Sequence, residues 1–135
     1  MKQRAHIVRI ALIAVALAAL AGCSGGTTSS FTLPAGAKWT KESGKGAVVD
    51  TSDNVYTPQF VEVKKGTTVT WDNTGRNRHN VLPNEEGAFT EIPVDKLDPG
   101  MKASVTFDEV GEFGYYCSLH GSANKGMFGA IKVVE

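Results

Sequence analysis

The chain has 135 residues, 41% of them hydrophobic and 21% charged, which suits one small domain with one core. Lys plus Arg number 14 and Asp plus Glu number 14, so the whole chain is formally neutral. No strongly basic face is implied, which argues against nucleic acid as a partner.

Met1 to Gly22 carries a basic start (Lys2, Arg4, Arg9), an apolar run from Ile10 to Ala21 and a small-residue finish, the layout of a secretory signal. The run is shorter than the ~20 residues of a spanning helix. Leu20-Ala21-Gly22-Cys23 resembles the bacterial lipobox at all four positions, which implies that Cys23 is diacylated and opens the mature protein. Ser24 to Ser30 is rich in Gly, Ser and Thr and reads as a flexible tether. The expected organisation is a signal peptide over 1–22, a lipidated Cys and tether over 23–31, and a folded domain over 32–135. Removing the signal takes three basic residues and no acidic ones, so the mature chain is net acidic.

Beyond Thr32 no amphipathic helix is evident, whereas strand signals are frequent. Ala47 to Asp50 is a short apolar run. Phe60–Val63 and Thr67–Trp71 flank Lys64-Lys65-Gly66, which predicts a hairpin. Val69 and Trp71 alternate with Thr68 and Thr70, and Val105 and Phe107 alternate with Ser104 and Thr106, the period-two mark of half-buried strands. Phe113, Tyr115 and Cys117 share one face of the next strand, which carries Cys117 toward the core. Ile131 and Val133 then alternate with Ala130 and Lys132 in a closing strand. Pro83 to Lys102 is too broken by Pro and Gly for a regular element. Short strands separated by turn signals predict an all-β fold, an antiparallel β-sandwich.

The chain contains three histidines and two cysteines. His6 and Cys23 fall in or beside the signal, which leaves His79, Cys117 and His120, followed by Met127. Two imidazoles, one thiolate and a weak axial thioether are the donor set of a mononuclear electron-transfer copper site. Metal ligation also explains a lone thiol in an oxidising compartment; the rival is a Cys23–Cys117 disulfide. For Met127 the rival reading is a core-filling side chain beside Phe128.

From Val55 onward the chain resembles the cupredoxins, the blue-copper family of plastocyanin, pseudoazurin and azurin. The matching strings are Tyr56 to Gly66, Val69-Thr70-Trp71-Asp72-Asn73, His79-Asn80-Val81, Gly111 to Cys117, Ser118-Leu119-His120 and Met127-Phe128-Gly129. The resemblance implies a Greek-key sandwich with one copper ion, cycling between Cu(I) and Cu(II), held at one end by His79, Cys117, His120 and Met127. It further implies that the Asn80 backbone amide faces the thiolate while the Asn80 side chain ties the ligand loops together, with Ser118 as its partner. His120 becomes the electron port, inside an apolar surface drawn from Leu82, Pro83, Gly121 and Met127; Arg76, Arg78 and Lys125 are candidates for a basic rim. Six residues, Gly121 to Gly126, separate His120 from Met127, where plastocyanin-like members have four.

A catalytic copper enzyme requires further histidines, so no enzymatic activity is expected. Cys–His nucleophilic catalysis lacks a helix dipole to activate Cys117. Structural zinc is closed by Cys, His or carboxylate rather than Met. The expected function is a monomeric, membrane-anchored one-electron carrier outside the cytoplasm that meets redox donors and acceptors transiently. The alternative is a lipoprotein that sequesters or delivers copper.

Overall fold

The computed structural model describes residues 31–135; the expected signal peptide, Cys23 and most of the expected tether lie outside them. The strands are β1 (Thr40–Lys41), β2 (Gly46–Ser52), β3 (Val55–Thr57), β4 (Phe60–Lys64), β5 (Thr67–Asp72), β6 (Leu82–Pro83), β7 (Lys102–Phe107), β8 (Gly111–Ser122) and β9 (Lys125–Val134). They form a five-stranded sheet in the order β1-β4-β9-β8-β6 and a four-stranded sheet in the order β3-β2-β5-β7. Among the described residues the one helical element is a 3-10 turn at Val94–Lys96.

Period-two alternation builds the layer between the sheets, because successive side chains of a strand point to opposite faces. Val49, Val69, Trp71 and Phe107 from one sheet meet Val61, Val63, Phe113, Tyr115, Cys117, Met127, Ile131 and Val133 from the other. Trp71 is wholly buried, with the Tyr115 ring edge-on at 5.3 Å and the Phe107 ring at 6.5 Å.

Three features depart from the sequence reading. The ladders are mixed: β1 with β4, β4 with β9, and β2 with β5 run parallel. Lys64-Lys65-Gly66 does not close a hairpin but carries the chain from one sheet to the other. Its Lys65 N–H donates to Val134 O at 2.8 Å in β9, whereas its Gly66 N–H donates to Phe107 O at 2.7 Å in β7, so the turn straddles both layers. A two-residue hairpin instead joins β2 to β3 through Asp53 and Asn54, which take left-handed φ values of 49° and 66°, the conformation of a primed turn.

The outer face of the five-stranded sheet is also covered. Phe60 and Ala130 pair across β4 and β9 and point away from Val61 and Ile131, yet both are buried. Phe31, Leu33, Ala37 and Trp39 pack over them with Phe128. Phe31, which the sequence reading left in the tether, is part of this second cluster, and Lys132 Nζ sits 5.8 Å from the Trp39 ring.

Candidate metal centre

Strands β8 and β9 pair regularly from Gly111↔Val133 to Tyr116↔Phe128, then shift register and resume at Gly121↔Gly126 and Ser122↔Lys125. Between the two stretches, Cys117 to His120 on one arm oppose the single residue Met127 on the other. A bulge re-aims side chains and breaks the ladder. Here it turns Cys117 and His120 toward one point at the end of the sandwich, with Met127 buried opposite them on the other arm. His79 reaches the same point from the segment after β5, its backbone N–H donating to Leu97 O at 3.3 Å.

Cys117 Sγ lies 3.8 Å from His79 Nδ1 and 3.6 Å from His120 Nδ1. The ligand atoms of the three residues all fall within 4.8 Å of one another. The imidazole centroids are 4.9 Å apart, with planes inclined at 61°. These gaps are long for hydrogen bonds, but bonds of roughly 2.0–2.3 Å to a first-row metal at trigonal angles set donors roughly 3.5–4 Å apart. The spacing of these three donors therefore fits one first-row metal ion. His79, Cys117 and Met127 are buried, and among the four residues His120 alone is partly exposed.

Electrostatics favour the ligating form of His79. Burial, followed by the neighbouring His120 charge, lowers its pKa from the ordinary histidine value, so the ring stays neutral and offers its lone pair. His79 Nε2 is buried with no partner among the described residues.

Asn80 links the two ligand-bearing segments. Its Nδ2 donates to Ser118 Oγ at 2.9 Å, and its Oδ1 accepts the Ser118 backbone N–H at 2.9 Å. Tyr56 Oη fixes the same segment from the opposite sheet by donating to Asn80 O at 2.6 Å. The six residues after His120 fold as the tip of the β8–β9 hairpin, whose Ala123 O accepts a 3.3 Å bond from Asn84 Nδ2. Two glycines make this tip feasible. Gly126 takes φ +74°, and a Cβ on Gly121 would lie 2.4 Å from Met127 N.

The expected surface needs revision. Met127 is 1% exposed and belongs to the interior, whereas Leu119, which the sequence reading did not assign to that surface, is 52% exposed beside His120. Leu82, Pro83 and Gly121 are half-buried. The signal for Leu119 was an apolar residue inside the Cys-x-x-His turn, where a bulge frees it from the core. Arg76 and Lys125 are exposed, but Arg78 is tied to Asp98 by a 2.6 Å ion pair, so its charge is largely offset.

Residues 45–134 match the family model for copper binding proteins of the plastocyanin/azurin family. A chloroplastic plastocyanin of Tetradesmus obliquus is 33% identical over 91 residues, covering 62% of this chain and 61% of the relative. The halocyanin of Natronomonas pharaonis is 39% identical over 80 residues, covering 58% of this chain and 47% of that one. The chain thus spans about half to three-fifths of the length of these two relatives. Among solved structures, a variant amicyanin superposes with TM-score 0.56 at 29% identity, over 69% of this chain and 86% of that one. A purple cupredoxin from Nitrosopumilus maritimus gives 0.54 at 27% identity, over 65% of this chain and 99% of its own. With two-thirds of the chain matched by that family model, and two imidazoles and one thiol converging among the described residues, the chain belongs to the plastocyanin/azurin family of copper-binding proteins, and copper is its cofactor.

Proposed function

We propose that this protein is a one-electron carrier held to the outer side of a membrane by lipid on Cys23, with His79, Cys117, His120 and Met127 as its copper ligands. Bound there, copper supplies a one-electron couple between Cu(I) and Cu(II). Cys117 would hold the metal as a thiolate, the form a coordinating thiol takes. His79 and His120 would supply imidazole nitrogens, and Met127, opposite the bulge, would supply a thioether sulfur. Asn80 and Ser118 hold the two ligand segments at fixed separation, a kind of support whose loss typically costs 10–100-fold in metal affinity or activity. His120, with Leu119 beside it, forms the exposed edge through which electrons pass to transient redox partners.

The observation that carries this reading is the burial pattern: three ligands lie inside a packed sandwich and one edge meets solvent. A copper-delivery protein needs an open face for ligand exchange, and His120 alone gives little of one. The test is to mix the copper-loaded protein with a strong copper chelator and, separately, with a small redox mediator. A carrier exchanges electrons with the mediator far faster than it yields copper; rapid loss of copper with sluggish electron exchange identifies the delivery role instead.

Two further outcomes are expected. Met127→Leu keeps copper and colour but shifts the reduction potential, since the axial ligand tunes it. Voltammetry reads the shift, and an unchanged potential removes Met127 from the ligand set. Cys23→Ser moves the protein from the membrane fraction to the soluble fraction, read by fractionation and the mass of the mature N-terminus; a chain that stays with the membrane rules out lipid on Cys23.

A further inference from the structure

His79 is fully buried, yet the loop leading to it, Thr74 to Arg78, is largely exposed. An exposed loop has few packing contacts with which to aim a ligand at its end. Asn73, at the start of that loop, is itself 0% exposed and uses every hydrogen-bonding group of its carboxamide. Its Nδ2 donates to Asn77 O and to Leu97 O, both at 2.8 Å, and its Oδ1 accepts the Gly75 N–H at 3.1 Å. Its backbone pairs with the far side of the same end, Asn73 N–H to Met101 O at 2.9 Å and Gly100 N–H to Asn73 O at 2.8 Å.

One acceptor is shared. Leu97 O takes the Asn73 amide on one lone pair and the His79 backbone N–H on the other, the latter at 3.3 Å. Leu97 is anchored in the main core with no exposed surface, so its carbonyl is a fixed post. Arg78 and Asp98, the residues just before His79 and just after Leu97, are joined by the 2.6 Å ion pair across the same gap. Two donors and one acceptor at this reach are a carboxamide's chemistry: serine is too short, and a carboxylate sets oxygen against two carbonyl oxygens.

We propose that Asn73 is a positioning residue for His79: its carboxamide clamps the ligand loop to the Leu97 carbonyl and thereby sets the imidazole from outside the ligand set. The inference rests on the copper reading of the site. It also gives the stretch from Pro83 to Lys102, irregular in sequence, a task in holding the first ligand.

The test compares Asn73→Ser with the parent full chain by two measurements. In the metal-free protein, amide hydrogen exchange at His79 is expected to accelerate at least tenfold while the amides of β4 and β9 stay within about twofold. Cu(II) affinity is expected to fall about 10–100-fold, the range for groups that orient metal ligands. Equal acceleration at His79 and in the strands overturns the proposal, because that is general destabilisation. An unchanged His79 amide, or unchanged copper affinity despite a faster His79 amide, overturns it as well. If Asn73→Ser does not fold, Asn73→Asp keeps the acceptor for Gly75 and sets an oxygen against the Asn77 and Leu97 carbonyls in place of the donors, and the same criteria apply. If the parent protein binds no copper, the copper reading fails on its own, and exchange in the metal-free chain still decides whether Asn73 orders His79.

Discussion

Cys117→Ser is expected to abolish the intense visible band predicted for the copper-loaded protein and to leave the sandwich folded. The band requires a thiolate as charge-transfer donor, and a serine hydroxyl neither ionises near neutral pH nor donates charge as sulfur does. The fold survives because the exchange is nearly isosteric at a position with no exposed surface. The cost is a buried hydroxyl in a mostly apolar pocket, about 1–3 kcal/mol where it finds no partner. Absorption and circular dichroism on one sample separate the two effects. Colour that persists in a folded Cys117→Ser protein removes the thiol from the site.

Trp71→Ala destabilises the metal-free protein by about 3 kcal/mol, the lower end of the usual range for deleting a large buried aromatic. Trp71 has no exposed surface and packs on Tyr115, Phe107 and Phe89, with centroids at 5.3, 6.5 and 6.5 Å. Tyr115 lies two residues before Cys117 on β8, which makes this ring the link between core and thiol. Denaturant unfolding measures the change. A loss under about 1 kcal/mol means that the core around Trp71 does not carry the metal-bearing end.

Much of the centre was legible because its chemistry is scarce in this chain. His79 and His120 are the only histidines beyond the signal segment, and Cys117 is the free thiol of the described residues. The short Cys-x-x-His spacing and the later Met mark one hairpin. The inward phase of Val69, Trp71, Phe113, Tyr115, Ile131 and Val133 was likewise readable, since alternation follows from strand geometry. Alternation is the same in parallel and antiparallel ladders, however, so the parallel pairing of β4 with β9 left no trace in the pattern. Lys64-Lys65-Gly66 has the length of a hairpin turn; the choice of sheet is made by Val134 O and Phe107 O, which lie far away in sequence. Phe31, Leu33 and Trp39 fall at alternate positions, but Pro34 and Gly36 interrupt the run, and their place over Phe60 and Ala130 depends on partners far along the chain. Asn73 was noticed as part of a motif, but its bonds to Asn77, Leu97 and Gly75 belong to folded loops that no local spacing encodes.

Central to the account is that a rigid β frame brings one thiol and two imidazoles onto a single redox-active copper ion. Spectroelectrochemistry of the purified protein loaded with cupric salt tests this most directly. The expected result is one copper per chain, an intense blue band that bleaches and returns over repeated reduction and oxidation, and a single one-electron couple. A folded protein with its thiol reduced that remains colourless in cupric salt contradicts the account.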